Sequence, residues 1–222
     1  MPSSWRNAVL WVLLLLPLPG FAATSTIGIL VFDGFLTSDV TAPVEVFGAA
    51  TKKAWFSSYR VVLVSVGRNR SVVSEEGLRV TADRTIYDAP KLDVLLVPSA
   101  YGMDPLLRNR DLIGFIRTQA KSASWLASNC SGAFLLAAAG ALDGKKATTW
   151  AGGEKSLADA YPAVKVQVDQ NVVVDDRVIT SNGGPVSYQA AFQLLARLSS
   201  DAFAREVAEQ IQFDRLARAF SR

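Results

Sequence analysis

Apolar positions along the chain fall into two alternating kinds of segment. Short runs rich in valine and isoleucine read as buried strands. They alternate with longer stretches in which apolar residues recur every three or four positions, as on one face of a helix. Thr26 to Phe32, Tyr59 to Val66, Leu92 to Val97 (ended by Pro98) and Ser124 to Ser128 belong to the first kind. Val72-Val73 and Leu78 to Thr81, with Gly77 between, read as a small hairpin. A first helix is expected from a cap at Ser38 or Thr41, with Pro43 in its first turn, to about Lys53. Asp111 to Ala120 follows, with Leu112, Phe115 and Ile116 on one face. Ser131 to Ala139 is a small-residue helix stopped by Gly140. Val164 to Val168, Val172 to Val174 and Val178 to Thr180 read as short antiparallel strands on one edge, with a turn at Asp175-Asp176. Helices over Val186 to Leu198 and Asp201 to Phe213 close the chain. Strands alternating with helices predict an α/β domain, a mainly parallel sheet with helices on both faces.

The first residues depart from this pattern. Arg6 precedes the apolar run Ala8 to Leu18, and Gly20 and Ala22 supply small residues after it. That order is the order of a secretory signal peptide. The run is broken by Pro17 and Pro19 and is shorter than the roughly 20 apolar residues a membrane span needs. Residues 1–22 are therefore expected to be a cleaved leader and residues 23–222 a single domain, exported to the periplasm or secreted, with no stable membrane insertion. A chain of this length fills one core, and no linker or repeat marks a second domain.

Charge and composition narrow the chemistry. The formal net charge is only +3, and no block of basic residues suggests a nucleic-acid partner. The chain has no histidine, which removes Ser-His-Asp and Cys-His catalysis and the commonest zinc ligand. It has one cysteine, Cys130, so no internal disulfide forms.

Cys130 stands where the strand ending at Ser128 meets a helix, followed by Ser131 and Gly132. A reactive residue on a tight strand-to-helix turn is the layout of a nucleophile elbow. The helix N-terminus is expected to favour the thiolate and to lower the thiol pKa. Without histidine, the proton partner falls to a carboxylate, and the loop after the first strand offers Asp33, Asp39 and Glu45 at the same sheet end. Asp39 reads equally as a helix cap or as that partner. A cap would tolerate Asp39→Asn with the fold intact, and Asp33 is expected to be a solvated loop charge.

These two segments carry a family resemblance. Asp39-Val40-Thr41-Ala42-Pro43-Val44-Glu45-Val46-Phe47 resembles the D-x-T-G-P-x-E-V-F stretch of the ThiJ/PfpI superfamily, in its isonitrile hydratase-like branch. That branch also includes the ligand-binding domains of some AraC-type transcription regulators. Cys130-Ser131-Gly132-Ala133 followed by Ala139 to Thr149 resembles its C-T-G-A … A-G-L-L-x-G-R-R-A-T-T. The resemblance implies a flavodoxin-like, class I glutamine amidotransferase-like sandwich and often a homodimer. It implies Cys130 as nucleophile, Asp39 as its acidic neighbour, and Ser131 where hydratases carry threonine. It also aligns Val97-Pro98-Ser99-Ala100 with V-P-G-G, so that the backbone N–H groups of Ala100 and Ser131 would form an oxyanion hole. The chain departs from the pattern at Ser99 and Ala100, and at Trp150, where A-T-T-H-W has lost its histidine.

The expected function is a cysteine-dependent, hydratase-like enzyme that turns a small C–N compound such as an isonitrile into an N-substituted formamide, with no metal or organic cofactor. One alternative is a small-molecule-binding or regulatory domain without turnover. Another is a thiol redox or reactive-carbonyl protein, in which Cys130 is oxidised or adds to glyoxal-like compounds.

Overall fold

The computed structural model describes residues 24–54 and 58–216. The expected leader, residues 1–22, lies outside them. In chain order the strands and helices are β1 (Thr24–Val31), α1 (Thr37–Lys53), β2 (Ser58–Ser65), β3 (Ser71–Val73), β4 (Arg79–Thr81), β5 (Arg84–Thr85), β6 (Val94–Val97), α2 (Asp104–Leu107), α3 (Arg110–Ala120), β7 (Trp125–Asn129), α4 (Gly132–Ala138), β8 (Lys146–Ala147), α5 (Glu154–Ala160), β9 (Lys165–Val166), β10 (Val172–Asp175), β11 (Val178–Ser181), α6 (Val186–Leu198) and α7 (Asp201–Gln210).

Seven strands form the main sheet in the order β10-β11-β7-β6-β1-β2-β5. All its pairings are parallel except β10 with β11. The continuous apolar runs explain this: all four residues of β6 and the last six of β1 are buried, as strands covered on both faces must be. The step from β1 through α1 to β2 moves one way across the sheet. The step from β6 through α3 to β7 moves the other way. Right-handed crossovers in opposite directions put their helices on opposite faces. Accordingly α1, α6 and α7 pack together, and α2, α3 and α4 pack together. Reading β2-β1-β6-β7-β11 along the sheet gives the flavodoxin-like order, whose switch point lies between β1 and β6. Phe35, Phe47, Ile27, Leu95, Leu126 and Leu135 are among the fully buried side chains of the core, and burying each contributes roughly 1.5–3 kcal/mol.

Four sequence expectations are corrected. Helix α1 starts at Thr37, so neither Ser38 nor Thr41 caps it. Its N-cap, Leu36, makes no side-chain bond. Glu76, from the β3–β4 turn, instead accepts the Thr37 N–H at 3.0 Å and the Thr37 hydroxyl at 2.5 Å. Pro43 consequently lies inside α1 rather than in its first turn. The late strands also differ: β11 joins the parallel sheet beside β7, while β9 pairs with β8 in a separate two-stranded ribbon. Finally, α7 ends at Gln210, because Gln212 takes a left-handed φ of 61° before a short 3-10 turn over Phe213–Arg215. Among the described residues no helix is long and apolar enough to cross a membrane.

Candidate active site

Four connections meet at the C-terminal ends of the central strands: those after β1, β6, β7 and β11. Cys130 follows β7 with a φ of +49°, a left-handed conformation that side-chain-bearing residues adopt at a cost of about 1–3 kcal/mol. Neighbours hold it there. Its N–H donates to the Ser181 carbonyl at 2.8 Å, and its carbonyl accepts the Thr149 hydroxyl at 2.8 Å. Gly132 lets α4 begin directly against β6. A Cβ there would stand 2.3 Å from the Val97 carbonyl oxygen.

Asp39 is fully buried and beside the thiol. A Cβ on Gly183, whose φ is +78°, would stand 2.5 Å from Cys130 Cβ and 3.0 Å from Asp39 Oδ1. Only a glycine fits between thiol and carboxylate. Oδ1 accepts the Gly184 N–H at 3.0 Å and the Ser187 hydroxyl at 2.8 Å. Oδ2 accepts the Ser99 N–H at 3.1 Å and the Ser99 hydroxyl. The carboxylate makes no bond to its own helix terminus, so the cap alternative falls.

The backbone of Asp39 is used as well. Pro43 has no N–H to bond the carbonyl four residues back. That freed Asp39 carbonyl accepts the Asn129 side-chain amide at 3.1 Å, and Asn129 Oδ1 accepts the Ser181 hydroxyl at 2.7 Å. A helix proline thus helps to tie α1 to the residue before Cys130.

Electrostatics depart from the sequence expectation. Burial pushes the Cys130 thiol up, and the Asp39 carboxylate pushes it further. The Ser99 hydroxyl and the N–H and hydroxyl of Ser131 pull it partly back. The expected lowering by the following helix is outweighed: the Ser131 N–H at the start of α4 does pull the thiol down, but burial and the Asp39 charge push it up by more. Asp39 is also held above the usual carboxylate range by burial, against the hydroxyls of Ser99 and Ser187 and the N–H groups of Ser99 and Gly184.

The remaining site residues of the sequence reading divide. The Ser131 hydroxyl is locked onto the Ala100 backbone: it donates to the carbonyl at 2.9 Å and accepts the N–H at 3.3 Å. The Ala100 N–H is therefore engaged, while the Ser131 N–H faces the sulfur. Glu45 lies outside the site, bound by the Tyr188 hydroxyl at 2.5 Å, where burial and that carboxylate push the tyrosine up to about 12. Asp33 is not merely solvated; it accepts the Val73 N–H at 2.9 Å. Ser99, Asn129, Gly183, Gly184 and Ser187 were not assigned from sequence. The run Asn182-Gly183-Gly184-Pro185 between a strand and a helix was the available signal, since it falls at the same sheet end.

Above the thiol opens a cavity of about 550 Å³. Leu36, Met103, Leu107, Phe134 and Trp150 line it, with Tyr101 at its mouth, 78% exposed. Trp150 is fixed: it stacks on Phe134 at 5.4 Å, and its indole lies so near the Gly153 backbone that a Cβ there would fall 2.1 Å from the ring. Among the described residues no cluster of three or more His, Cys, Asp or Glu side chains could hold a metal ion.

Comparison with known proteins agrees with this geometry. The family model described as DJ-1/PfpI family matches residues 25–197. The isonitrile hydratase of Pseudomonas putida is 31% identical over 189 residues, covering 84% of this chain and 78% of that protein. The HTH-type transcriptional regulator GbdR of Pseudomonas aeruginosa is 25% identical over 191 residues, covering 86% of this chain and 51% of the regulator, so the chain spans about half of that relative's length. The crystal structure of a ThiJ/PfpI family protein from Pseudomonas syringae superimposes with a TM-score of 0.77 at 24% identity, covering 87% of this chain and 77% of that one.

Proposed function

We propose, from the premise that this chain belongs to the DJ-1/PfpI family, that it hydrates a small apolar isonitrile to an N-substituted formamide at Cys130. The observation that carries the reading is a half-buried thiol that lines a mostly apolar cavity and has a fully buried carboxylate beside it. The 31% identity to an isonitrile hydratase supports the same choice.

An isonitrile carbon must gain both a proton and a nucleophile. A thiol whose proton is held by burial supplies both. The S–H proton passes to the terminal carbon as sulfur bonds to it, giving the thioimidate R–N=CH–S–Cys130. Water then adds across the C=N bond, its oxygen to carbon and a proton to nitrogen. The new hydroxyl returns its proton to sulfur, directly or through Asp39, as the C–S bond breaks. The product is R–NH–CHO and the thiol is restored, with no oxidant or reductant consumed. The free N–H of Ser131 steadies the developing charge, and that of Ala100 joins it only if the Ser131 hydroxyl turns away. The leader pattern is the ground for placing the reaction outside the cytoplasm.

A second reading is a binding domain without turnover. The engaged Ala100 N–H favours it, because a donor already paired is a poorer oxyanion hole. The two readings separate in one assay. Purified protein is given small alkyl and aryl isonitriles, and formamide is measured by chromatography with mass detection. Many equivalents of formamide per chain are expected. Saturable binding with no formamide would reject the hydratase and leave the binding domain.

A further inference from the structure

Trp150 and Phe134 line the cavity above Cys130 as neighbours, with ring planes 24° apart and centroids 5.4 Å apart. Tyr161 meets Phe134 edge-on, 6.0 Å away at 78°. Gly153 packs against the indole. A Cβ there would lie 2.1 Å from Cε2, 2.3 Å from Cδ2 and 2.4 Å from Cζ2 of Trp150. Two of those atoms form the bond shared by the two indole rings, so Gly153 lies on a face of the indole and not at its edge. The chain beside Trp150 is tied to the thiol-bearing turn. The Thr149 hydroxyl donates to the Cys130 carbonyl at 2.8 Å, and the Asn182 side-chain amide donates to the Thr149 carbonyl at 2.5 Å. The aromatic side of the cavity is therefore held in a fixed relation to the sulfur.

We infer that this aromatic wall makes the site selective for aryl isonitriles, and that Trp150 is the residue that sets the preference. The inference takes the isonitrile group from the reading above and adds the class of its substituent. Aryl rings gain from stacked or edge-to-face contact beyond what buried area gives, by about two- to tenfold in affinity. A cyclohexyl ring carries more apolar surface than a phenyl ring, so burial alone favours cyclohexyl. The sign of the preference therefore reports the wall. An isonitrile is also linear. A ring held against a fixed wall thus fixes the direction of the terminal carbon, as addition to the sulfur requires.

Gly153 is a positioning residue for that wall. It does not line the cavity, and its φ of −98° suits any residue. What excludes a side chain there is the indole itself. Gly153→Ala must move Trp150 while every residue that lines the cavity keeps its identity.

The test reads binding apart from chemistry. Affinities of N-phenylformamide and N-cyclohexylformamide are measured by calorimetry on the native protein, beside kcat/KM for phenyl and cyclohexyl isonitrile. Both pairs should favour phenyl, by about threefold or more. Trp150→Leu, which keeps an apolar lining, should reverse the order. Trp150→Phe, which keeps a ring, should retain it. Gly153→Ala should shrink the ratio towards one, and it carries the test if the leucine variant does not fold. Phenyl-selective formamide binding without isonitrile turnover would reject the hydratase reading and leave the wall standing. Formamides that fail to bind or that favour cyclohexyl, or a native ratio retained in Trp150→Leu or Gly153→Ala, would overturn the inference.

Discussion

Cys130→Ser is expected to reduce isonitrile turnover by about a thousandfold or more while the protein still folds and still binds its ligand. Serine is nearly isosteric and keeps the N–H that donates to Ser181 and the carbonyl that accepts Thr149. It meets the same left-handed strain at φ +49°, so the elbow is retained. The chemistry does not survive. A hydroxyl gives up its proton far less readily than a thiol, and its oxygen is the poorer nucleophile toward an isonitrile carbon. The thioimidate step then lacks its nucleophile. Binding depends instead on the apolar walls around Phe134 and Trp150, which the change leaves alone. Turnover, ligand affinity and thermal midpoint, measured together, check all three parts. Native turnover in Cys130→Ser would remove the thiol from the mechanism.

Asp39→Asn is expected to lower turnover by a hundredfold or more and, unlike a surface cap, to reduce stability by about 1–3 kcal/mol. The sequence left open a cap that tolerates asparagine. The structure closes that option, because every contact made by the carboxylate comes from a donor. Asparagine offers one accepting oxygen and one NH2 group. Whichever way it turns, the NH2 faces either the Ser99 N–H or the Gly184 N–H and leaves it unpaired. The pH dependence of stability gives a second readout. Burial holds the folded carboxyl above its ordinary 3.8, so the native state keeps its proton more tightly than the unfolded chain. Asp39 therefore makes stability fall as pH rises from that ordinary value through the raised one. The asparagine variant should lose this slope. Denaturant titrations across the acid range, beside the turnover assay, test both statements. Full activity in Asp39→Asn would end the carboxylate-partner mechanism.

How far the site could be read in advance depended on where its information lies. Continuous apolar strands and helical spacing mark the α/β sheet, and the strand–Cys130–Gly132 turn marks the elbow, because both are local patterns. Asp39 was reachable by topology, since loops after parallel strands share one sheet end. Gly183 and Gly184 were not, because they act through the lack of a Cβ and through a backbone donor, and Ser187 was not, because its hydroxyl meets Asp39 across 148 residues of sequence. The direction of the thiol's shift was misjudged for a related reason. It depends on burial and on the Asp39 charge beside the sulfur, and both are tertiary facts. The Glu76 cap on α1 joins residues 39 apart, beyond any local signal. Pro43 was read by its usual place at a helix start. Its structural use, freeing the Asp39 carbonyl for Asn129, needs both partners in view.

The central claim is that Cys130 adds covalently to the isonitrile carbon. Intact-protein mass spectrometry after rapid acid quench of a single turnover measures this directly. The expected result is a transient species heavier than the native chain by the mass of one isonitrile, located on the peptide that contains Cys130, decaying as formamide appears, and absent from Cys130→Ser. Formamide released at full rate with no adduct on that peptide at any time would contradict it.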